Sequence, residues 1–340
     1  MNVQNNKIGW GLIGASDIAK TRMVTAINAQ PDSEVRAVMS RDSDRAKAYA
    51  AENGIPRAWN TLEALLADPD VHVVYISTTN DRHKEESIAA AKAGKHVLCE
   101  KPLALNLPDA RAMVQACSEA GVLMGTNHHL RNAVTHRTMR RMIQEGAIGT
   151  PLAARVFHAV YLPLHLRGWR LEQRGKGGGV ILDITVHDAD TLRFVLDDEP
   201  VEVTAFSAKQ GLSKGPVEDA VMGVIRFQSG VIAQFHDAYT VPNAPTGLEV
   251  HGTEGSLVGE NVMTQDPVGR LFLRHANQLR EVDLEPFEDL YVHQVRLFNE
   301  AIQGRGKPFA TGEDGVRSLA VALAVMEAAG RARRIAVQDV

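Results

Sequence analysis

Two short segments of this chain carry side chains that are well suited to chemistry. The first is Glu100-Lys101-Pro102, which directly follows the apolar run Val97-Leu98-Cys99. In open α/β sheets, ligands bind at the carboxyl ends of the strands, so we expect the Lys101 ammonium beside a bound cofactor or substrate. Pro102 stiffens this turn and allows a cis peptide bond. A surface lysine in a turn explains the tripeptide alone equally well, so other segments must decide.

The second segment begins with three glycines, Gly177-Gly178-Gly179, and continues to Asp183 and His187. Glycines let a backbone approach a ligand closely, and residues four apart share one face of a helix. A carboxylate beside an imidazole fixes its tautomer and raises its basicity, which suits acid–base catalysis. The alternatives are a surface ion pair and a metal site. No obvious third and fourth ligands accompany the pair, so we predict no metal.

The elements that must position Lys101 alternate regularly between strand and helix over residues 1–126. The predicted strands are 7–13, 34–40, 71–77, 96–99 and 122–126, and the predicted helices are 18–29, 43–53, 83–93 and 108–120. Ser43 is the expected N-cap of the second helix. Such alternation predicts an N-terminal Rossmann domain with a doubly wound parallel sheet.

After residue 126, strand patterns follow one another and are separated by turns. The predicted strands are 153–160, 201–207, 220–227, 231–238 and 248–251, with helices at 183–195, 289–302 and 313–329. This order predicts an α+β domain with a mainly antiparallel open sheet and helices on one face. We therefore assign residues 1–126 to dinucleotide binding, and residues 127–340 to substrate binding and catalysis.

The first strand–turn–helix unit contains most of a dinucleotide fingerprint. In the pattern G-x-G-x-x-G/A, Gly14 and Ala19 occupy the first and third places, and Ser16 replaces the second glycine. The position between a strand and a helix predicts pyrophosphate binding at the helix amides. A turn needed only for packing is the alternative.

The end of the second strand indicates which dinucleotide binds. Arg41 and Arg45 can hold a 2′-phosphate, and Ser40 can donate a hydrogen bond to it, so NADP is favoured over NAD. Two surface arginines at a helix start are the alternative, and Asp42 adds a carboxylate one position late. Small polar residues after later strands, Thr78-Thr79-Asn80 and Asn127, suit a dinucleotide or an ordinary loop equally.

Three residues of the second half are candidates for substrate binding. Trp169 can stack on a nicotinamide or sugar ring, and Arg170 can donate hydrogen bonds to hydroxyl groups. His158 lies on an alternating strand, where a histidine of the sheet face is the simpler interpretation. Packing of Trp169 beside the glycines is likewise the alternative to a binding role.

Composition, net charge and cysteine content indicate which classes of partner and which cellular compartment to expect. The 340 residues include 44% hydrophobic and 23% charged residues, with a formal net charge of −4. This balance favours neither nucleic acid nor an anionic membrane as a partner. The two cysteines, Cys99 and Cys117, lack metal-type spacing, and residues 1–6 are polar. We therefore expect a protein of the cytoplasm.

These motifs, taken in order, resemble the Gfo/Idh/MocA family of sugar and polyol oxidoreductases. The family combines a Rossmann domain, the E-K-P motif and a second domain whose helix carries D-x-x-x-H. Longer stretches resemble NADPH-linked reductases of that family that act on a sugar-derived ketone; they are residues 97–104, 125–132, 157–163, 168–172 and 184–190. Ser16 departs from the family's glycine pattern.

The resemblance implies roles for named residues. Cofactor contacts are implied for Gly14, Ala15, Ser16, Asp17, Ile18, Ser40, Arg41, Arg45, Thr78, Thr79, Asn80, Asp81, Arg82, His83, Glu100, Lys101, Asn127, Trp169, Arg170 and Tyr291. Substrate contacts are expected from His158, Trp169 and Arg170. Our mechanistic hypothesis is that Lys101 binds the ketone oxygen and that His187, oriented by Asp183, protonates it; Lys101 is the alternative donor.

The expected partner is a small sugar-like molecule, and the C-terminal sheet is a candidate surface for forming a homo-oligomer. Two other functions remain open at this stage. One is an NAD(P)-dependent sugar or inositol dehydrogenase that works in the oxidising direction. The other is a non-catalytic regulator that senses a dinucleotide.

Overall fold

The computed structural model describes residues 7–338, so the polar segment 1–6 lies outside the described residues. The chain forms two compact units. Unit 1 contains Met1–His128 and Tyr291–Val316, and unit 2 contains His129–Leu290 and Arg317–Val340. The division of the sequence at residue 126 differs from this arrangement mainly at residues 291–316, where the chain returns to unit 1.

The sheet of unit 1 has six strands that all run parallel. They are β1 (Ile8–Ile13), β2 (Ser33–Met39), β3 (Arg57–Trp59), β4 (Val73–Ile76), β5 (His96–Cys99) and β6 (Met124–Thr126). Their spatial order is β3-β2-β1-β4-β5-β6, which reverses direction at β1 and β4. All residues of β1 and β4 are buried, as expected for parallel strands covered on both faces. The predicted Rossmann sheet is confirmed.

The helices of unit 1 follow the strands in alternation. A π-helical turn over Ala19–Met23 leads into α1 (Val24–Asn28), followed by α2 (Ser43–Glu52), α3 (Leu62–Leu66), α4 (His83–Lys92) and α5 (Leu107–Glu119). The N-cap of α2 is Asp42, so the prediction of Ser43 was wrong by one residue. The Asp42 backbone is extended, and its carboxylate accepts hydrogen bonds from two amides of the first helical turn.

The sheet of unit 2 has nine strands and is mainly antiparallel, as predicted. They are β7 (Pro151–Ala159), β8 (Pro200–Ala208), β9 (Ala220–Phe227), β10 (Ile232–Ala238), β11 (Gly247–Gly252), β12 (Gly255–Glu260), β13 (Arg270–His275), β14 (Gln278–Glu281) and β15 (Ile335–Ala336). Their order is β14-β13-β12-β11-β7-β10-β9-β8-β15. Only the central pair, β7 and β10, runs parallel among the strand pairs of the described residues.

The remaining helices are α6 (Val134–Gln144), α7 (Trp169–Glu172), α8 (Val186–Leu196), α9 (Leu290–Ile302) and α10 (Gly312–Arg331). A π-helical turn over Ile181–Thr185 precedes α8, and every residue of α8 is buried. Buried charges require partners, and Arg131 supplies one by donating two hydrogen bonds of 2.7 Å to Asp190. The helix that carries His187 is therefore held rigidly in the core of unit 2.

Residues 291–316 belong to unit 1 because α9 packs against β1. The Trp10 ring lies 5.7 Å from the Phe298 ring, and its Nε1 donates a hydrogen bond of 3.2 Å to Asn299. Gly125 leaves room for this helix, since a Cβ there would lie 2.8 Å from Phe298. Over residues 7–338, no helix is long and apolar enough to span a membrane.

Candidate active site

The turn after β1 has the tight geometry of a dinucleotide fingerprint. Gly14 has a φ of +104°, and a Cβ there would come within 3.2 Å of Thr78 and the Ser77 backbone. Only glycine fits this backbone without strain. Ser16, which stands in place of the second glycine, shares a hydrogen bond of 2.7 Å with the Ser77 hydroxyl, and its Oγ accepts from Ala19 N. The Ser16 hydroxyl therefore braces the turn.

The predicted phosphate-binding residues lie in the loop after β2 and in the first turn of α2. Arg41 and Arg45 are exposed and Ser40 is half-buried. One guanidinium nitrogen of Arg45 donates to the Ala15 carbonyl at 2.7 Å, which ties this loop to the turn after β1. The Asp42 carboxylate is engaged in capping α2, as described above. Asp42, the carboxylate nearest the end of β2, therefore accepts hydrogen bonds from the first amides of α2.

The polar residues after β4 hold the neighbouring loops. Thr78 and Arg82 both donate to the buried Glu86, at 2.5 and 2.9 Å. His83 is fully buried, with Nδ1 3.0 Å from the Pro102 carbonyl and Nε2 3.2 Å from the Thr78 carbonyl. Its ring therefore joins the loop after β4 to the loop that contains Lys101. Between them, Asn80 is buried, Thr79 is half-buried and Asp81 is exposed.

The E-K-P segment lies at the carboxyl end of β5, as predicted, and its Lys101-Pro102 peptide bond is cis. The Glu100 carboxylate accepts hydrogen bonds from the Tyr75 hydroxyl at 2.5 Å and from Asn127 Nδ2 at 2.6 Å. Burial, followed by the nearby Glu100 charge, raises the pKa of Tyr75 well above its ordinary value, so this phenol stays a donor. Lys101 itself is half-buried.

Tyr291, which was assigned to the cofactor site, lies in unit 1 although it is distant in sequence. The side chain is 1% exposed, and the Arg22 guanidinium lies 5.9 Å from its ring. It also lies close enough to Tyr75 to raise the pKa of that phenol. The structure thus brings Tyr291 towards the group formed by Tyr75, Glu100 and Asn127.

In unit 2, Asp183 accepts a hydrogen bond from a second buried tyrosine. The Tyr239 hydroxyl donates to Asp183 Oδ2 at 2.8 Å, and Arg170 Nε lies 3.3 Å from the same oxygen. The Arg170 guanidinium in turn lies 4.7 Å from the Trp169 ring. Asp183, Arg170 and Trp169 therefore form one contiguous group within unit 2.

The glycines before Asp183 are required for packing inside unit 2. A Cβ at Gly178 would lie 2.5 Å from the Trp169 carbonyl oxygen, and one at Gly179 would lie 2.3 Å from the Glu218 carboxylate. Gly179 also has a φ of +110°. The close approach that these glycines permit is thus to neighbouring protein atoms, and it seats α7 against the turn that carries Asp183.

His187 is 6% exposed and lies among other histidines of unit 2. Its ring lies 4.8 Å from the His129 ring in an edge-on contact and 6.4 Å from the His158 ring. His158 is half-buried, on the face of β7 that is directed towards α8. The structure therefore brings the predicted catalytic histidine and the predicted substrate-binding histidine together.

Comparison with known proteins agrees with this arrangement. The model of the oxidoreductase family with an NAD-binding Rossmann fold matches residues 8–128, and the model of the GFO/IDH/MocA C-terminal domain matches residues 136–258. A 1,5-anhydro-D-fructose reductase from Ensifer adhaerens is 61% identical over 320 residues, which cover 94% of this chain and 96% of that protein. The chain belongs to the Gfo/Idh/MocA oxidoreductase family.

Other members of the Gfo/Idh/MocA family align along nearly the whole chain. A myo-inositol 2-dehydrogenase from Thermotoga maritima is 28% identical over 342 residues, covering 98% of both proteins. The crystal structure of an aldose-aldose oxidoreductase from Caulobacter crescentus is 26% identical with a TM-score of 0.89, covering 97% of this chain and 99% of that one. The family resemblance inferred from the motifs is confirmed.

Three polar residues near the family's D-x-x-x-H motif, Thr185, Asp188 and Asp237, were not predicted from the sequence as site residues. His158 Nδ1 lies 2.7 Å from Asp188 Oδ1, and the Thr185 hydroxyl donates to Asp237 Oδ2 at 2.5 Å. Asp188 and Asp237 are both fully buried. The sequence signal was available, because a charged residue on a strand or helix that is otherwise buried requires a partner.

Among residues 7–338, no cluster of His, Cys, Asp and Glu side chains is arranged to hold a metal ion.

Proposed function

We propose that this protein is an NADPH-dependent reductase that converts 1,5-anhydro-D-fructose to 1,5-anhydro-D-mannitol. The observation that carries the proposal is the 61% identity, over 94% of this chain, to a protein named 1,5-anhydro-D-fructose reductase. The reaction adds a hydride to a ketone carbon and a proton to its oxygen.

The proposed cofactor is NADP, and the loop after β2 supports it. Ser40, Arg41 and Arg45 together offer one hydroxyl and two guanidinium groups, which suit a dianionic 2′-phosphate. An NAD site uses a carboxylate for the ribose hydroxyls, but the Asp42 carboxylate accepts two amide hydrogen bonds at its helix. Bound NADPH would supply the hydride.

The proposed role of Lys101 is to bind the ketone oxygen as negative charge develops on it. A fixed ammonium stabilises such charge without reorganising during the reaction. Contacts of the flanking residues support this role, because the preceding Glu100 is held by Tyr75 and Asn127 and the following Pro102 carbonyl contacts His83. The loop is therefore braced on both sides of Lys101.

The proposed proton donor is His187, with Asp183 in a supporting role. An imidazole has its ordinary pKa near physiological pH, which makes it the most effective general acid for this step. Asp183 accepts from Tyr239 and lies beside Arg170, so its carboxylate is held in a defined orientation. Trp169, Arg170 and His158 are the proposed contacts to the sugar hydroxyls and ring.

The direct test follows nicotinamide absorbance while 1,5-anhydro-D-fructose is added to the protein with NADPH or with NADH. We expect consumption with NADPH, a slower reaction with NADH and no change after treatment with a chelator. Analysis of the product would then identify the polyol. No consumption with either cofactor would refute the proposal.

A second candidate is a dehydrogenase that oxidises an inositol or a sugar, and the myo-inositol 2-dehydrogenase relative favours it. The same residues would then act in reverse, with His187 accepting the proton. Screening myo-inositol and aldoses with NAD and NADP discriminates between the two enzymes. A non-catalytic regulator is disfavoured because Lys101, Asp183 and His187 are all present.

We also propose the cytoplasm as the compartment and a homo-oligomer as the assembly. Both cysteines are free and buried, which suits a reducing compartment. On the outer face of the unit 2 sheet, Phe206 is 77% exposed and pairs in register with Met222, which is 48% exposed. A second copy that covers this face would bury both side chains. Light scattering of wild type and Phe206→Glu tests this, and identical molar masses would refute it.

A further inference from the structure

Two buried carboxyl groups of unit 2 lie side by side in the described part of the chain. Asp188 is on α8 and Asp237 is on β10, far apart in sequence, and each is fully buried. Asp237 is the register partner of His158 on the neighbouring parallel strand β7. The sheet therefore presents an aspartate and a histidine side by side to the helix that carries Asp188.

Each carboxyl group has one oxygen that is satisfied by an ordinary donor. Asp188 Oδ1 lies 2.7 Å from His158 Nδ1, and Asp237 Oδ2 accepts from the Thr185 hydroxyl at 2.5 Å. The other two oxygens, Asp188 Oδ2 and Asp237 Oδ1, are buried, and no N–H or hydroxyl donor among residues 7–338 reaches them. The two carboxyl side chains are close enough to each other for one hydrogen bond between them, provided that one of the two carries a proton.

Two ionised carboxylates cannot form that hydrogen bond, because each would be an acceptor only. One proton between them makes the geometry complete: a protonated Asp237 donates to Asp188, and Asp188 accepts from both Asp237 and His158. Two buried negative charges in contact would in addition repel each other strongly. A single proton thus satisfies both orphaned oxygens and removes the repulsion.

We propose that Asp188 and Asp237 share one proton and act as positioning residues, which hold His158 with its protonated Nδ1 towards Asp188 and its Nε2 towards the substrate. This inference deepens the proposed function, because it assigns His158 the task of contacting a substrate hydroxyl through a nitrogen of defined protonation. Asp188 and Asp237 act only through His158.

The surroundings of the pair favour a retained proton. Burial is the main cause that raises the pKa of both Asp188 and Asp237, so the pair holds a proton that an exposed aspartate would lose. From α6, His136 faces His158, and burial lowers the pKa of His136 to about 4, so it adds no positive charge at neutral pH. His187 precedes Asp188 on α8, and its ring lies 6.4 Å from the His158 ring.

Two further groups that approach from other elements are engaged with carboxylates outside the pair. Tyr239 follows Asp237 two residues later and donates to Asp183, and its pKa is raised well above the ordinary value by burial. Arg131, which precedes α6, is paired with Asp190 on α8. Because Tyr239 and Arg131 are engaged elsewhere, we assign the compensating positive charge between the two carboxyl groups to a proton.

The first test locates the proton directly and does not depend on activity. Infrared spectra of the full-length protein in H2O and D2O should show a protonated carboxyl C=O band at pH 7 that is missing in Asp237→Asn and in Asp188→Asn. Nitrogen-15 spectra should show His158 protonated at Nδ1. Absence of the carboxyl band from the wild type, or a His158 that is protonated only at Nε2, would overturn the inference.

The second test compares two isosteric variants by kinetics with NADPH and 1,5-anhydro-D-fructose. In Asp237→Asn, the new amide can donate to Asp188 and accept from Thr185, as protonated Asp237 does, so we expect a loss in kcat/KM of no more than about threefold. Asp188→Asn removes the carboxylate that His158 contacts, so we expect a loss of about tenfold or more, since charge-assisted hydrogen bonds are about twice as strong as neutral ones.

NADPH affinity should be the same in both variants, which separates positioning of substrate from a general structural defect. Equal losses in the two variants, with intact circular dichroism spectra, would overturn the inference. If the wild type does not consume NADPH with this ketone, the proposed function fails, and the infrared and nitrogen-15 measurements still decide where the proton lies. If Asp237→Asn does not fold, the protonated carboxyl band of the wild type and its loss in Asp188→Asn still test whether the pair holds a proton.

Discussion

Replacing Asp237 with asparagine should make the stability of this protein depend less on pH between 5 and 7. Asp237 is fully buried, and burial together with the nearby Asp188 raises its pKa well above the ordinary value. In the unfolded chain, an aspartate has a pKa of about 3.9. Across this range the unfolded chain has lost the proton, while the proton that we propose Asp237 and Asp188 share stays bound in the native protein.

The sign and the size of the effect follow from the bound proton. Because the native state binds more protons than the unfolded state, stability falls as pH rises, by about 1.4 kcal/mol per pH unit for one proton. A proton retained from pH 5 to pH 7 contributes a loss of about 2.7 kcal/mol in the wild type. Below about pH 4 both states are protonated, and the contribution becomes constant. Asparagine does not titrate, so the contribution of Asp237 is absent from the variant.

The assay is urea unfolding of wild type and Asp237→Asn at pH 5, 6 and 7, followed by circular dichroism and by tryptophan fluorescence. Coincident transitions are needed before free energies are compared, since the chain has two units. Asp283→Asn is the matched control, because Asp283 is an exposed aspartate of unit 2. Stability curves for wild type and Asp237→Asn that stay parallel from pH 5 to 7 would refute the reasoning.

Three further outcomes are expected. Ser40→Asp combined with Arg41→Ala should raise the KM for NADPH by about tenfold or more and that for NADH far less, in steady-state kinetics; equal losses would contradict the NADP assignment. His187→Ala should lower kcat by roughly 10²–10⁴-fold while the Kd for NADPH, measured by fluorescence titration, stays nearly constant; loss of NADPH binding would make His187 structural. Gly179→Ala should destabilise the protein by about 1–3 kcal/mol in thermal unfolding, because φ is +110° and the new Cβ would meet Glu218; an unchanged Tm would contradict this.

Local sequence patterns were sufficient for the elements that carry the site. Alternation of apolar runs and helical periods predicted the parallel sheet of unit 1, and the strand β5 begins and ends where its pattern does. That strand end places Lys101 at the carboxyl edge of the sheet. Helices and strands are specified by spacings of a few residues, so a single sequence contains this information. Short elements such as β3 and α3 offered too few residues for a period to be recognised.

Other features depended on which segments meet in space. Residues 291–316 contain an ordinary amphipathic helix, and its packing, such as the contacts of Phe298 and Asn299 with Trp10, assigns the segment to unit 1. The helix cap shifted from Ser43 to Asp42 because the backbone at Asp42 is extended. An amphipathic helix must pack its apolar face against another element, but its sequence does not identify that element. The unit to which such a helix belongs is therefore known only from the tertiary structure.

The sequence by itself determined the Rossmann sheet, the position of Lys101 at a strand end and the separation of Asp183 and His187 by four residues. The register of β7 with β10 decided that His158 and Asp237 are neighbours, and the packing of α8 on those strands brought Asp188 to both. Spacing along a chain sets local geometry. Partners that are far apart in sequence are chosen by strand register and burial, which only the folded protein has.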